Sequence, residues 1–219
     1  MSKASTSRPQ KKILGAPARP APTPRGVIKA PAPAPREIVQ DSARYAHARS
    51  LIRNVPNFPT AGILFKDITP LLADPRAFHQ VLDGLAEQFI GEHVDAIAGI
   101  ESRGFIFGGA LAARLNASFV PLRKPGKLPA ETDRVSYDLE YGSAALEMHV
   151  DSLEPGAKVV IVDDLLATGG TALAASELVR RQGGFIAAFA FVIELGFLGG
   201  RERLPTAPVF SILSYEAGE

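Results

Sequence analysis

The sequence of 219 residues contains no cysteine. This absence excludes a disulfide framework, a thiolate nucleophile and a cysteine-ligated zinc site, and it fits a reducing, cytoplasmic compartment. No apolar run approaches the ~18 residues that a membrane-spanning helix needs, so we expect no membrane partner. Histidine is also scarce, and none of the four has the spacing of a metal ligand: His47, His79, His93 and His149.

Acidic residues are missing from residues 1–36, which hold eight basic residues and eight prolines. Proline fixes φ and has no amide hydrogen, so the alternating Ala-Pro stretch at 30–35 cannot be helical. We predict a disordered, Pro/Ala-rich basic tail over residues 1–39 and one domain over residues 40–219. A nucleic-acid-binding arm and a transit peptide are alternatives for the tail, although its prolines oppose the amphipathic helix of a transit peptide.

Strand-like and helix-like patterns alternate from about residue 40 onward. The predicted helices cover residues 42–54, 74–91 and 171–182, with a further apolar helix ending at residue 115. The predicted strands cover residues 94–100, 119–122, 157–162, 186–194 and 209–215. A polar loop at 123–134 precedes a predicted hairpin built from 136–140 and 145–150. This order predicts an α/β fold with a mainly parallel central sheet flanked by helices, in which ligands bind beyond the carboxyl ends of the strands.

The strongest pattern lies at residues 159–171, where an apolar strand leads to the adjacent carboxylates of Asp163 and Asp164. The sequence Thr-Gly-Gly-Thr then opens a helix. Free N–H groups at a helix start form an anion site, and glycines let a phosphate approach the backbone closely. Carboxylates beside a phosphate would repel it unless they bind another part of the same ligand, such as a ribose diol. The loop is neither a Walker A motif nor a dinucleotide fingerprint.

This combination resembles the motif with which type I phosphoribosyltransferases bind phosphoribosyl pyrophosphate (PRPP). The resemblance implies that family's fold, with a small hood and a flexible loop or hairpin beside the central sheet. It implies that Asp163 and Asp164 hold the ribose hydroxyls. It also implies that the 5′-phosphate is held by Ala167, Thr168, Gly169, Gly170 and Thr171. Taken alone, Thr-Gly-Gly-Thr would more often be an ordinary turn before a capped helix.

Residues 98–105 resemble the pyrophosphate loop of the adenine-specific branch of this family. The resemblance implies that Glu101, Ser102 and Arg103 bind pyrophosphate, that Arg103 acts in catalysis and that the Glu101–Ser102 peptide bond is cis. The family often has aspartate at position 101, so the glutamate is a mild departure. Without this resemblance, Arg103 would equally fit a surface position at the start of a helix.

Residues 58–70 resemble the adenine-binding segment of the same branch. By that resemblance, Leu64 offers backbone hydrogen bonds to the adenine edge, Phe65 lies against the ring and Lys66 lies near the site. A further match at the last core strand and its turn implies that Leu195 lines the base pocket. Without the family, the apolar residues of this segment would simply be core.

Residues 121–129 and 136–142 resemble the flexible catalytic loop of the family. Three basic side chains within five residues suit a pyrophosphate leaving group, and these are Arg123, Lys124 and Lys127. Glu140 is the candidate general acid or base at N7 or N9 of the purine, a role that requires its pKa to rise in a closed site. The alternative is a solvated charged loop.

The resemblance covers about residues 40–216 and implies a pentosyltransferase. The implied reaction transfers the 5-phosphoribosyl group of PRPP to adenine and yields AMP and pyrophosphate, a step of purine salvage. The transition state would resemble an oxocarbenium ion. Mg²⁺ is the implied cofactor, held mainly by PRPP and water rather than by direct protein ligands. The family also implies a homodimer, with the loop around Arg123 near the partner subunit.

Two alternatives stay open at this point. An enzyme of the same fold could use hypoxanthine, guanine, xanthine or orotate, although residues 58–70 and 98–105 argue for adenine. A PRPP-sensing regulator that binds nucleic acid would keep the PRPP motif without catalysis. We expect no nucleic-acid partner, because residues 1–40 are too short and proline-rich for the winged-helix domain that such regulators often carry.

Overall fold

The computed structural model describes residues 43–138, 143–205 and 207–219. The predicted tail over residues 1–39 and the candidate acid or base Glu140 lie outside the described residues. The strands are β1 (Arg53–Pro56), β2 (Leu64–Asp67), β3 (Ala96–Ile100), β4 (Ser118–Leu122), β5 (Thr132–Asp138), β6 (Ser143–His149), β7 (Lys158–Leu166), β8 (Phe185–Leu195) and β9 (Val209–Tyr215). The α-helices are α1 (Ala46–Ser50), α2 (Thr69–Ala73), α3 (Pro75–Glu87), α4 (Gly104–Leu115) and α5 (Gly170–Arg181).

Five strands form a central sheet in the order β4-β3-β7-β8-β9, and every neighbouring pair is parallel. The predicted mainly parallel sheet flanked by helices is therefore confirmed. Two smaller antiparallel sheets accompany it, one from β1 and β2 and one from β5 and β6. The second is the predicted hairpin, whose turn lies outside the described residues. A small hood stays a prediction. No helix in the described part of the chain is long and apolar enough to cross a membrane.

The central strand β7 is buried on both faces, which explains its continuous apolar run. Successive side chains of a strand point to opposite sides. Val160 and Val162 accordingly pack in the core on the side of α3 and α4, whereas Val159 and Ile161 pack in the core on the side of α5 and β6. The sequence of β7 therefore predicts an interior strand between two apolar layers, and the strand order makes it the middle one.

Helix α3 begins as its sequence predicts. The Asp74 carboxylate accepts a hydrogen bond of 2.8 Å from the backbone N–H of Ala77, and Pro75 occupies the first turn, where its missing donor costs nothing. Val81 and Leu85 are fully buried on its inner face. The helix ends at Glu87, earlier than the predicted residue 91, and turns follow it.

The predicted helix at 42–54 is wrong in its second half. Only Ala46–Ser50 is helical, and Arg53–Pro56 forms β1, which pairs with β2 from Arg53↔Asp67 to Pro56↔Leu64. Local spacing continued the helix through Leu51 and Ile52, but pairing with a segment farther along the chain overrides that preference.

Strand β7 is longer than predicted and runs to Leu166 instead of ending at residue 162. It continues because β8 stays paired with it as far as Leu166↔Glu194. The predicted loop at 123–134 is shorter than expected, because β5 already begins at Thr132. The two acidic residues of the motif therefore sit within a paired strand, which holds their backbone in place.

Candidate active site

The carboxyl end of β7 carries the two features that the sequence placed together. We call Asp163 and Asp164 the carboxylate pair, and residues 167–171 the phosphate loop. Asp164 is 3% exposed, and Asp163 is partly buried. The Asp163 side chain accepts a hydrogen bond of 2.9 Å from the backbone N–H of Asp164, which fixes the orientation of the pair. Asp164 itself presents a buried carboxylate at the sheet edge where ligands of such folds bind.

The carboxylate pair carries raised pKa values. Burial raises the pKa of the Asp163 carboxyl well above its usual range, and the neighbouring charge of Asp164 raises it further. Burial also raises the pKa of Asp164, while the guanidinium of Arg103 opposes that rise. The pair is thus unfavourable as two bare charges and gains from hydroxyl donors.

One oxygen of the pair is left without a donor. Oδ2 of Asp164 is buried and has no hydrogen-bond partner among the described residues, although Nε of Arg103 lies 3.1 Å away in an ion pair. A buried acceptor without a donor is costly, so the site favours a ligand that supplies one. A ribose hydroxyl has the required chemistry.

The phosphate loop leads directly into α5. Gly169 is the N-cap of this 12-residue helix, has a φ of +80° and makes no side-chain capping bond. The first N–H groups of a helix lack intrahelical acceptors and carry the positive end of its dipole. A Cβ at Gly169 would lie 2.6 Å from the carbonyl oxygen of Gly200, so both the backbone angle and the packing require glycine there.

The predicted pyrophosphate loop packs against the same strand. The Glu101–Ser102 peptide bond is cis, as the resemblance implied. A Cβ at Gly104 would lie 2.7 Å from the Val162 carbonyl oxygen and 2.9 Å from Oδ1 of Asp163, so glycine allows this loop to approach the carboxylate pair. Arg103 then pairs with Asp164 and lies over the Phe65 ring, 5.0 Å from its centroid.

Glu101 contacts the base of the predicted catalytic loop. Its carboxylate accepts two hydrogen bonds from the Arg123 guanidinium, at 3.1 and 3.3 Å, and one of 3.0 Å from the backbone N–H of Lys124. The bonds from Arg123 hold the pKa of Glu101 below its usual value. An ionised carboxylate only accepts hydrogen bonds, and these contacts occupy it. Its predicted contact with pyrophosphate stays a prediction.

The loop base has a second anchor that sequence reasoning missed. Arg123 and the mostly buried Glu147 exchange backbone hydrogen bonds of 2.9 and 2.7 Å, and the Glu147 carboxylate accepts a bond of 2.9 Å from the N–H of Gly126. Arg123 also donates to the carbonyl of Lys127. The side chains of Lys124 and Lys127 are exposed. No local sequence pattern identifies Glu147, because its role comes from a long-range pairing.

Part of the predicted adenine segment forms β2. Successive side chains of this strand point to opposite faces, so Phe65 and Lys66, both predicted to bind adenine, lie on different sides. Leu64 is 41% exposed, and Phe65 contacts Phe58 edge-to-face at 5.0 Å as well as Arg103. Lys66 is buried. Its ammonium group donates a hydrogen bond of 2.8 Å to Oδ1 of Asn54 and lies 4.1 Å from the centroid of the Tyr215 ring.

These contacts place the Lys66 side chain on the face of β2 opposite Phe65, where it packs against the end of β9. Burial lowers the pKa of Lys66. A contact between Lys66 and adenine stays a prediction. Leu195 ends β8 at the ligand-binding edge of the sheet and packs partly against the core.

A five-stranded parallel sheet whose central strand delivers an aspartate pair and a glycine-rich helix start defines the class of type I phosphoribosyltransferases. Comparison with known proteins agrees. The profile of the phosphoribosyl transferase domain family matches residues 71–212. The adenine phosphoribosyltransferase of Sorangium cellulosum is 68% identical over 185 residues, which cover 82% of this chain and 92% of that protein. That of Chloroflexus aurantiacus is 56% identical over 166 residues, 76% of this chain and 96% of that protein.

Solved structures agree with the sequence relatives. The crystal structure of adenine phosphoribosyltransferase from Rhodothermus marinus has a TM-score of 0.77 and 49% identity, and the match covers 80% of this chain and all of that one (100%). The Saccharomyces cerevisiae enzyme, crystallised with adenine and an imino-altritol bisphosphate, has a TM-score of 0.74 and 43% identity over 78% of this chain and 99% of that one. The chain belongs to the adenine phosphoribosyltransferase family.

Proposed function

We propose that this protein transfers the 5-phosphoribosyl group of PRPP to adenine, yielding AMP and pyrophosphate in purine salvage. One observation carries the proposal: the carboxylate pair, the phosphate loop and Arg103 meet at one edge of the sheet, with Phe65 against Arg103. The family membership supports the same reaction, and the adenine bound in the yeast relative supports the choice of base.

PRPP binding follows from the charges of the site. The N–H groups at the start of α5 receive the 5′-phosphate, assisted by the hydroxyls of Thr168 and Thr171. The carboxylate pair accepts hydrogen bonds from the ribose hydroxyls, and charge-assisted bonds of this kind are about twice as strong as neutral ones. The ligand thereby supplies the donor that Oδ2 of Asp164 lacks.

Adenine binding rests on β2 and the end of β8. Leu64 offers backbone hydrogen bonds to the edge of the base, and Phe65 lies against its ring. Leu195, the last residue of β8, lines the base pocket in this proposal. Two observations support this: Leu64 is 41% exposed, and the Phe65 ring centroid lies 5.0 Å from the guanidinium of Arg103, which pairs with Asp164 of the proposed sugar site.

The chemical step needs positioning and charge neutralisation more than covalent catalysis. N9 of adenine attacks C1′ of PRPP while the bond from C1′ to the pyrophosphate oxygen breaks through an oxocarbenium-like state. Arg103 stabilises the leaving pyrophosphate together with Arg123, Lys124 and Lys127, and Ser102 presents its backbone to it. The proton lost from adenine goes to Glu140, which acts as the general base.

Mg²⁺ fits this site as a partner of PRPP. The described residues contain no group of three or more His, Cys, Asp or Glu side chains able to hold a metal ion. The buried carboxylate pair nevertheless supplies negative charge beside the proposed ribose. The ion would take most of its ligands from pyrophosphate, ribose hydroxyls and water, and when bound it would neutralise charge on the leaving group.

We further propose a cytoplasmic homodimer, with the loop around Arg123 near the partner subunit. The edge strand β4 and the neighbouring α4 support an interface, because Phe119 is 37% exposed and Ile106 is 41% exposed. The Phe119 ring also contacts Phe105 of α4 edge-to-face at 5.7 Å, and exposed apolar patches mark contact surfaces. Light scattering of the purified protein should give twice the mass of one chain, and a monomer at all concentrations would contradict the proposal.

The direct test is an assay of AMP formation from adenine and PRPP, with and without Mg²⁺. We expect product only with the metal and with adenine, and background rates with guanine or hypoxanthine. A preference for another base would replace the proposal with a different member of the fold. The regulator alternative predicts no AMP and a steeply salt-dependent binding to DNA or RNA that disappears when residues 1–36 are removed.

A further inference from the structure

The turn after β8 packs directly behind the phosphate loop. A Cβ at Gly200 would overlap the carbonyl oxygen of Ala167 and lie 3.1 Å from the backbone nitrogen of Gly169. The two glycines Gly169 and Gly200 therefore let the two backbones touch without intervening side chains. The phosphate loop is supported from this side by the turn at residues 199–203.

Arg203 holds one peptide of the phosphate loop. Its Nη1 donates a hydrogen bond of 2.9 Å to the carbonyl oxygen of Thr168. The peptide that joins Thr168 to Gly169 is not among the cis bonds of the described residues. In a planar trans peptide the C=O and the following N–H point in opposite directions. Fixing the Thr168 carbonyl therefore also fixes the direction of the Gly169 N–H, a donor that belongs to the loop.

The turn is itself anchored to the central sheet. The Arg201 guanidinium makes two bonds to the carboxylate of Glu194, at 2.9 and 2.5 Å, and one of 2.6 Å to the carbonyl of Val209. The hydroxyl of Ser211 donates to the same carboxylate at 2.6 Å. Glu194 pairs in register with Leu166, the last residue of β7. The anchor thus sits beside the point where the phosphate loop begins.

The electrostatics of this anchor favour a fixed ion pair. Burial would raise the pKa of Glu194, but the hydrogen bonds from Arg201 and Ser211 outweigh it, and the net shift is downward. Bidentate pairing to a planar guanidinium also fixes geometry as well as charge. The Arg201–Glu194 pair therefore holds the backbone of the turn that carries Arg203.

We propose that Arg203 is a positioning residue for the 5′-phosphate site, acting through the Thr168 carbonyl from a turn that the Arg201–Glu194 pair holds in place. The inference rests on the proposed function, since it assigns the phosphate loop to the 5′-phosphate of PRPP. It adds a residue outside the loop that selects the orientation of a loop amide. Arg203 is exposed, so its contact with the loop contributes little to global stability.

The test compares Arg203→Gln with the matched control Arg180→Gln. Arg180 is exposed in the last turn of α5, about 15 Å along the helix axis from the phosphate loop. Both variants lose one positive charge. We expect Arg203→Gln to raise KM for PRPP about fivefold, the equivalent of one net hydrogen bond. The KM for adenine, kcat and the melting temperature should stay unchanged, as should every parameter of the control.

A spectroscopic signature separates positioning from a direct contact between Arg203 and the phosphate. In the free protein, the amide resonance of Gly169 should shift in Arg203→Gln and not in Arg180→Gln. Arg203→Lys, which keeps a charged donor, should restore part of the PRPP affinity. An unshifted Gly169 resonance, or equal rises in KM for PRPP and for adenine, would overturn the proposal.

Binding of ribose 5-phosphate, measured by calorimetry, separates this inference from the proposed reaction. If the wild type forms no AMP, the proposed function fails, yet weaker ribose 5-phosphate binding by Arg203→Gln would still support the positioning role. If the wild type forms AMP and both proteins bind ribose 5-phosphate equally, the reaction stands and the positioning role is overturned.

Discussion

Arg103 and Asp164 form an ion pair with 3.1 Å between Nε and Oδ2, and the same guanidinium lies over the ring of Phe65. One side chain thereby joins the carboxylate pair, the predicted pyrophosphate loop and the predicted adenine segment. Because Arg103 is 35% exposed and Asp164 is 4% exposed at the side chain, the charge of the buried partner is neutralised from the solvent side. In the proposed reaction, ribose hydroxyls would bind Asp164 and would leave the Arg103 guanidinium available to the leaving pyrophosphate.

Asp163→Asn should stabilise the free protein while weakening PRPP binding. Removing one of two adjacent, largely buried carboxylates relieves desolvation and repulsion, and the amide oxygen can still accept the bond from the Asp164 N–H. We expect the melting temperature at neutral pH to rise by about 2–4 °C, as a gain of ~1 kcal/mol gives for a domain of this size. The KM for PRPP should rise at least tenfold. The exposed control Asp151→Asn should change neither quantity, and a lower melting temperature for Asp163→Asn would contradict the electrostatic explanation.

The affinity for PRPP should fall as the pH is lowered through the raised pKa values of the carboxylate pair, because an ionised carboxylate accepts stronger, charge-assisted hydrogen bonds from ribose hydroxyls than a protonated one does. The stability of the free protein should depend on pH in the opposite direction. A carboxyl with a raised folded-state pKa binds more protons in the native state, so stability declines as pH rises from the ordinary value of 3.8 to the raised value.

Calorimetric titration with PRPP from about pH 8 to about pH 5 checks this dependence, with Asp163→Asn as a control for the ionisation of PRPP itself. Wild-type affinity that parallels the variant over the whole range would show that Asp163 does not titrate in binding.

Glu101→Gln should slow turnover by loosening the base of the catalytic loop. The neutral amide keeps one acceptor but loses the charge-assisted pair with Arg123, and such bonds contribute about 1.5–3 kcal/mol. We expect kcat/KM for PRPP to fall about tenfold or more, with KM for adenine nearly unchanged. Because Arg123 holds the pKa of Glu101 low, the effect should be constant around neutral pH. Glu131→Gln, an exposed residue of the same loop, is the control, and equal losses in both variants would point to a general charge effect.

Phe65→Leu should raise KM for adenine about fivefold or more, since stacking on an aromatic ring contributes about 1–3 kcal/mol per base. KM for PRPP should rise less, through the lost contact with Arg103. Phe185→Leu is the control, because Phe185 is 65% exposed and begins β8 at the opposite edge of the sheet. Steady-state kinetics with each substrate varied in turn measure both KM values. If the KM for adenine of Phe65→Leu equals that of the wild type, Phe65 is not part of the base site.

The sequence predicts those parts of the fold that have a local signal, such as a helix cap or a regular pattern of apolar residues. Strand β7 has apolar residues on both faces, and α3 has the cap at Asp74 followed by Pro75, so both are predicted near their true places. Strand β1 is missed because its pairing with β2 joins Arg53 to Asp67 and leaves no local signal. Element order therefore follows from sequence more readily than element ends do.

The residues of the candidate site also differ in whether a local sequence pattern predicts them. Asp163, Asp164 and Gly169 follow one another in a single motif, and the structure keeps them at one sheet edge. The position of Lys66 would have followed from alternation had residues 64–67 been recognised as a strand. The bond from Arg203 to Thr168 depends on how two separate turns pack, and no spacing in the sequence predicts it.

A crystal structure of the protein with AMP bound would show whether one site holds the phosphate, the sugar and the base. We expect the 5′-phosphate at the backbone N–H groups of residues 167–171, the ribose hydroxyls within about 3 Å of Asp163 or Asp164, and the adenine ring against Phe65. An AMP molecule whose phosphate lies away from this loop, or whose ribose makes no contact with either aspartate, would contradict this expectation.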